Sequence, residues 1–317
     1  MSLKNIEIVK CSIYNLIKMS NNLQIENELV IPTFGFINNG NICYFNSLLQ
    51  CIINCKYIMF YLVNENKPKN ELQLFFKNKF IHFTELYNNE DHKNFNKETS
   101  MFSYELLKIL LKKYRQFDIN QQQSSSEFFL YIIEELGIEH FFKIKHKINI
   151  HCGNCKNVSS KIDECFHFEM FCDDIEKEVD IDDFMYSTNV INGYKCDNCK
   201  NTSKAIYEKQ ALNISKYFVI LLNKYFNKVK IEYPNTFEML VKNMNNNQIQ
   251  NDIPKNCVWE NIGQIEHQGH LYSGHYTAIC KRLNKVFYFD DMRLNISDDK
   301  KIHPSKNTYM IFYEKQY

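Results

Sequence analysis

The residues of this chain whose types and spacing point to chemistry are few. They are a lone cysteine beside a Gly/Asn loop, a histidine followed by two adjacent aspartates, and two Cys-x-x-Cys pairs. Cys43 lies in the stretch FGFINNGNICYFNSLLQCII. Gly35 and Gly40, with Asn38, Asn39 and Asn41, make a loop able to take unusual backbone angles. Phe45, Leu48, Leu49, Ile52 and Ile53 then recur at the spacing of one helix face. Cys43 is thereby predicted in the first helical turn, where backbone N–H groups lack partners and the helix dipole favours negative charge. A thiol there ionises readily, and the thiolate is a nucleophile. The Cys43 N–H and the Asn38 amide could together hold an oxyanion. An isolated cysteine reads more simply as a small core residue; the loop, and the His/Asp group downstream, favour the nucleophile.

Gly274-His275-Tyr276-Thr277-Ala278 opens one predicted strand, and Tyr288-Phe289-Asp290-Asp291 ends the next, with Arg282 to Asn284 as the turn. An antiparallel hairpin would set His275 opposite Asp290 as a cross-strand pair. An Asp that fixes the ring's tautomer lets the ring take a proton from a nucleophile such as Cys43. The pattern alone does not separate Asp290 from Asp291, which could serve as a second orienter or polarise water.

Cys152-Gly153-Asn154-Cys155 and Cys196-Asp197-Asn198-Cys199 are two matched knuckles. Four thiolates suit one tetrahedral zinc ion, and such a closed site is structural rather than catalytic. The long segment between the knuckles requires two hairpins meeting at a tip, and zinc closing that loop would contribute folding free energy.

The elements that must carry these groups follow from periodicity. The 317 residues are 44% hydrophobic and 15% aromatic, enough for a substantial core, and the net charge of +1 gives no reason to expect nucleic acid as a partner. No apolar run is long enough to span a bilayer, and the polar start MSLKNIEIVK does not read as a signal peptide. With 12 cysteines and no secretory signal, the expected setting is a reducing intracellular compartment, cytoplasm or nucleus. Ile6, Val9, Ile13, Leu16 and Ile17 make a weak helical pattern in a leading extension that ends near Pro32. Helical stripes follow: Leu72, Phe75, Phe76, Phe80 and Phe83; Phe102, Leu106, Leu110 and Tyr114; Phe128, Phe129, Ile132, Ile133 and Leu136. Ser124 and Glu127 have capping-box spacing, and the polar residues from Asp91 to Asn94 read as a loop. After Phe142 the period changes to two. Ile144, His146, Ile148 and Ile150 alternate, FVILL (218–222) reads as a buried strand with KVKIEY as its neighbour, and the chain stays strand-rich to its end. The class is α+β: a helical half, a metal-tipped insertion, and a strand-rich half.

Taken together these residues resemble the ubiquitin-specific proteases, the papain-like deubiquitinases. GFINNGNICYFNSLLQ matches the family's Cys box. IEHQGHLYSGHYTAIC, FYFDD and NTYMIFYEK match its His box, with QQQSSSEFF and the two knuckles between them in the family order, over roughly residues 33 to 315. The resemblance implies a USP fold: an extension over 1–32, then a catalytic domain over 33–317 with a helical thumb (about 33–142), zinc-tipped β fingers (about 143–216) and a β-sheet palm (about 217–317). It implies ubiquitin and ubiquitinated proteins as partners of a monomeric enzyme. The fingers would grip the body of ubiquitin while its Gly-Gly tail threads to the nucleophile. It implies Cys43, His275 and Asp290 as the triad, Asn38 as oxyanion donor, and one structural zinc. Glu127, Tyr225, His267 and Tyr276 match positions lining the tail channel; Glu127 also reads as a helix-capping carboxylate. The sequence departs from the family pattern at Ser124, where Asp is usual, at LNKY (222–225) in place of an LKRF-like motif, and at Ile42 in place of Thr. The expected reaction is cleavage of isopeptide or peptide bonds after the ubiquitin C-terminal glycine. The rival readings are a catalytically weak ubiquitin-binding scaffold and the same chemistry on another ubiquitin-like modifier.

Overall fold

The computed structural model describes residues 9–11, 29–31, 33–65, 67–171, 182–223, 230–241, 255–270, 273–282 and 284–316. The chain divides into two compact units, Met1–Ile138 with Asn261–Ile311, and Glu139–Glu260 with Phe312–Tyr317.

The first unit opens on a short antiparallel pair, β1 (Val9–Cys11) with β2 (Leu29–Ile31). The helical pattern expected through Val9 is therefore broken there by a strand, consistent with the β-branched Val9, Val30 and Ile31; Ile6, Ile13, Leu16 and Ile17 lie outside the described residues. Five helices follow: α1 (Cys43–Asn54), α2 (Lys56–Asn64), α3 (Glu71–Asn88), α4 (His92–Lys113) and α5 (Ser125–Leu136). Their apolar stripes form the core. Phe102 takes the edges or faces of Phe76, Phe80 and Phe83 at 5.4, 5.3 and 5.6 Å between ring centres, a geometry that adds to plain burial. The loop expected over Asp91–Asn94 is instead the start of α4. Asp91 is its N-cap and accepts from the Asn94 N–H, so the polar run reflects capping rather than a missing helix. Ser124 caps α5 in the same way, accepting from the Glu127 N–H.

In the second unit, β3 (Ile144–Cys152), β4 (Val158–Cys165), β6 (Tyr186–Lys195) and β7 (Thr202–Ile214) form a four-stranded antiparallel sheet in the order β4-β3-β7-β6. The period-two pattern of β3 buries Ile144, His146 and Ile148 on one face. Alongside lie β5 (Phe168–Phe171), the short helix α6 (Asp182–Met185), the fully buried β8 (Tyr217–Asn223) and β9 (Thr236–Val241). β8 pairs in parallel with β5. The KVKIEY segment does not become the neighbouring strand: its described part, 230–233, holds only an isolated bridge residue, and the next strand begins at Thr236. Ile231 and Tyr233 are buried and Lys230 and Glu232 half exposed, so the alternation that suggests a strand is present without a ladder of backbone pairs.

β10 (Lys255–His270) pairs through its first residues with β9 and through Gly263–His270 with β11 (Ser273–Arg282). β11 continues into β12 (Lys285–Asp290), β12 into β13 (Arg293–Ser297), and β14 (Thr308–Lys315) closes the chain. The helix that carries Cys43 is fastened to these strands by polar side chains at positions i, i+4 and i+8 of α1. Asn46 donates to Asp291 Oδ1 at 2.7 Å. Gln50 bonds the Phe34 carbonyl and accepts from buried Arg282. Asn54 bonds the Ile262 carbonyl and also accepts from Arg282. Burying such groups is costly unless they are paired, so this stripe fixes where α1 sits on β10 and β11. Among the described residues no helix is long and apolar enough to cross a membrane.

Candidate active site

Cys43 is the first residue of α1 and is buried, 2% exposed. Its backbone N–H is among those with no acceptor inside the helix. The loop before it is held by two glycines for different reasons. Gly40 takes a left-handed backbone, φ 119°, and an added Cβ would lie 2.6 Å from the Ile119 carbonyl oxygen. Gly35 is required by space: an added Cβ would lie 2.0 Å from the Asp291 carbonyl oxygen, which accepts from the Phe36 N–H at 3.0 Å.

His275 lies on β11 beside Cys43, whose thiol is the largest influence on the titration of the ring. Its Nε2 meets Asp290 Oδ1 at 2.6 Å, which leaves Nδ1 for the sulfur. The two are not facing partners as the hairpin argument expected. Ala278 pairs with Phe289, so one further step sets Asp290 across from Thr277, two residues from His275. His275 and Asp290 are diagonal neighbours on one face, a separation that long side chains bridge. The hydrogen bond to Cys43, then that to Asp290, raise the His275 pKa to about 9 against the opposing cost of partial burial.

Asp291 separates clearly from Asp290 in the structure. Its Oδ2 is 4.0 Å from His275 Nε2, and both its oxygens accept from amides, Asn38 Nδ2 at 2.8 Å and Asn46 Nδ2 at 2.7 Å. Asn38 Oδ1 in turn accepts from the Ile42 N–H at 3.0 Å. Asp291 itself has a left-handed backbone, φ 49°, and its side chain is 16% exposed against 45% for Asp290. Thus Cys43, His275, Asp290, Asp291 and Asn38 converge within one unit. Three further contributors are not among the candidate residues read from the sequence. Gln122 accepts from the Gly274 N–H at 2.8 Å and donates to the Gly274 carbonyl, clasping the residue before His275. Asn46 and its partner Ser103 are buried beneath Asp291; the one available hint for Asn46 is the polar spacing Asn46, Gln50, Asn54 along one side of α1.

In the second unit the Cys152, Cys155, Cys196 and Cys199 sulfurs all lie within 4.8 Å of one another. The two knuckles are built alike. Each first cysteine accepts from the N–H of the residue four on, Lys156 or Lys200, and both lysines have left-handed backbones. Asn154 donates to the Cys199 sulfur at 3.5 Å and Asn198 to the Cys155 sulfur at 3.7 Å, the same contact made twice. A hydrogen bond from the Cys155 N–H lowers the Cys152 pKa to about 6. The cross-knuckle sulfur distances are 4.0 Å (Cys152–Cys199) and 3.7 Å (Cys155–Cys196). A tetrahedron with metal–sulfur bonds of about 2.3 Å needs about 3.8 Å, so the four thiols fit a zinc-sized ion.

The family model for "Ubiquitin carboxyl-terminal hydrolase" matches residues 34–313. The chain belongs to this family. Among curated relatives it is 22% identical to the probable ubiquitin carboxyl-terminal hydrolase 16 of Schizosaccharomyces pombe, over 93% of this chain and 69% of that protein. It is 23% identical to ubiquitin carboxyl-terminal hydrolase 8 of Saccharomyces cerevisiae, over 88% of this chain and 70% of that protein. Among solved structures, the SAGA Ubp8/Sgf11/Sus1/Sgf73 DUB module bound to ubiquitin aldehyde shares the fold, with a TM-score of 0.71 at 19% identity over 96% of this chain and 74% of that one. The α+β architecture is thus that of the USP-type cysteine proteases of the ubiquitin carboxyl-terminal hydrolase family.

Of the residues matched to the family's tail channel, His267 and Tyr276 stack at 4.4 Å between ring centres, with Tyr309 close to both. Glu127 is exposed in the first turn of α5 and accepts from the Tyr131 hydroxyl at 3.4 Å. Tyr225 lies outside the described residues. Ser124, standing where the hydrolases usually carry Asp, joins a hydroxyl cluster with Ser126 and Tyr309 at 2.9 and 3.2 Å.

Proposed function

We propose that this chain is a deubiquitinating thiol protease that cleaves isopeptide or peptide bonds after the C-terminal glycine of ubiquitin. The observation that carries the reading is the contiguous group Cys43–His275–Asp290 with Asn38 beside it, inside a chain of this family. In the proposed mechanism the Cys43 thiolate attacks the glycine carbonyl carbon. The oxyanion that forms is held by the Cys43 N–H and by one N–H of the Asn38 amide, the other being engaged by Asp291. The His275 imidazolium, oriented by Asp290, gives its proton to the departing amine as the tetrahedral intermediate collapses to a thioester. Water then attacks the thioester, His275 takes a proton from it, and ubiquitin leaves with a free carboxylate.

Glu127, His267, Tyr276 and Tyr225 would line the passage for the glycine tail, and Glu127 would pair with its basic residues. One zinc ion, held by Cys152, Cys155, Cys196 and Cys199, would lock the tip of the four-stranded sheet and play no part in the reaction. We take the fingers to be about 143–216, the thumb about 33–142 and the palm about 217–317.

Incubating the wild type and Cys43→Ala with diubiquitin tests the assignment. The wild type is expected to release monoubiquitin, and Cys43→Ala to bind ubiquitin without cleaving it. Cleavage by Cys43→Ala rejects the nucleophile. Binding without cleavage by the wild type favours the scaffold reading, and cleavage of a different ubiquitin-like conjugate alone favours the other modifier.

A further inference from the structure

Beneath the candidate site a line of polar groups runs from exposed Asn38 through partly buried Asp291 to buried Asn46 and Ser103. The Ser103 hydroxyl, on α4, donates to Asn46 Oδ1 at 2.5 Å. The Asn46 amide nitrogen donates to Asp291 Oδ1 at 2.7 Å and to the Ile37 carbonyl at 3.3 Å. Asp291 Oδ2 accepts from Asn38 Nδ2 at 2.8 Å, and Asn38 Oδ1 accepts from the Ile42 N–H at 3.0 Å. Ser103 is 0% exposed and Asn46 is 3% exposed. The line therefore begins in the helical core and ends at the amide that faces the expected oxyanion.

The chemistry of each link fixes the next. A carboxylate and a carbonyl only accept, so Asn46 must turn its NH2 toward Asp291 and Ile37 and its oxygen toward Ser103. That orientation in turn holds the Asp291 carboxylate. The Asp291 carboxylate oxygens accept, so Asn38 must present its nitrogen there, while the Ile42 N–H pins the other end of the same amide. With both ends fixed, the second Asn38 N–H has one direction left. Low local dielectric strengthens the buried Ser103–Asn46 end and makes a missing member costly there, while the Asn38–Asp291 link lies at the surface. Asp290 makes the short contact to the imidazole and Asp291 stands 4.0 Å from it, so the line acts directly on the oxyanion donor and only weakly, through the Asp291 charge, on His275.

We infer that Asn46 and Ser103 are positioning residues for the oxyanion hole, acting on Asn38 through Asp291. This rests on the deubiquitinase reading above. It predicts a separation of two reactions at one sulfur. Acyl transfer to Cys43 develops an oxyanion and needs Asn38. Alkylation of Cys43 by iodoacetamide uses the same thiolate and imidazolium but develops no oxyanion.

The experiment measures kcat and KM on ubiquitin C-terminal aminomethylcoumarin amide, and the pH profile of iodoacetamide alkylation, for wild type, Asn38→Ala, Asn46→Ala, Ser103→Ala and the two double variants with Asn38→Ala. Asn46→Ala is expected to lower kcat about 100-fold and Ser103→Ala about fivefold, with KM and the alkylation profile within twofold of wild type. Each double variant is expected to be no slower than Asn38→Ala alone, since the relay acts only through that amide. Multiplying losses in the double variants, or alkylation slowed as much as acyl transfer, overturns the relay. If Asn46→Ala does not fold, the Ser103→Ala pair decides by the same criterion. A wild type that alkylates at Cys43 but does not turn over the ubiquitin amide refutes the functional reading itself, and the relay with it.

Discussion

Replacing Asp290 by Asn keeps the shape of the side chain and removes its charge, so it isolates what the carboxylate does for His275. The contact is short, 2.6 Å, but the His275 and Asp290 side chains are 43% and 45% exposed. A hydrogen bond to a charged partner contributes about 1.5–3 kcal/mol when well buried; with solvent screening at this exposure the figure falls to about 1–2 kcal/mol. In the proposed mechanism kcat/KM on a ubiquitin C-terminal amide should therefore drop roughly 5- to 30-fold. Asp291 at 4.0 Å remains as a weaker orienter, so the loss should fall short of that from removing His275. The pH profile carries a second reading. Because the His275 pKa is raised from 6.5 to about 9, chiefly by Cys43 and then by Asp290, activity that needs the imidazolium should persist to about pH 9 and decline above it. In Asp290→Asn that limb should move down by about one pH unit, as about 1.4 kcal/mol per unit requires. The same raised pKa gives a stability contribution fully present below pH 6.5 and lost as pH rises to about 9, so the slope of Tm over that range should flatten in the variant. An unchanged alkaline limb, with kcat/KM within twofold of wild type, would refute the role given to Asp290.

Gly35→Ala forces a Cβ to within 2.0 Å of the Asp291 carbonyl oxygen and 2.7 Å of the Met292 α-carbon, backbone that must shift; a cost of about 1–3 kcal/mol in stability and at least a tenfold loss of kcat are expected from melting and steady-state kinetics. Gln122→Leu removes both bonds to Gly274 and should slow amide hydrolysis and iodoacetamide alkylation alike, about 5- to 30-fold, because it loosens His275 rather than the oxyanion donor. Metal analysis should find about one zinc per chain, with Cys196→Ser releasing it and lowering Tm by several degrees; full zinc content in that variant would exclude the four-thiol site.

Much of this arrangement was legible in the sequence because single local rules decided it. The Cys43 loop–helix junction needs only two glycines and a stripe of apolar residues, and the knuckles need only their spacing. What escaped depended on tertiary contacts. The polar run at Asp91 looked like a loop because capping and looping use the same residue types, and only the Asp91–Asn94 bond distinguishes them. The His275–Asp290 pair was expected face to face, but the hairpin register set by Ala278 and Phe289 makes it diagonal. Asp290 and Asp291 are adjacent and identical in type, and their separate contacts arise from the left-handed turn at Asp291 and from Asn38 and Asn46. Gln122 lies in the QQQSSSEFF stretch that matches the family, but Gly274 is distant in sequence, so no local pattern shows what it clasps.

The most direct measurement is mass spectrometry of the purified chain after reaction with ubiquitin bearing a C-terminal propargylamide. The account predicts one adduct of ubiquitin mass, mapped to Cys43, absent from Cys43→Ala and greatly slowed in His275→Ala. A folded wild type that stays unmodified, or an adduct mapped to any other cysteine, would contradict it.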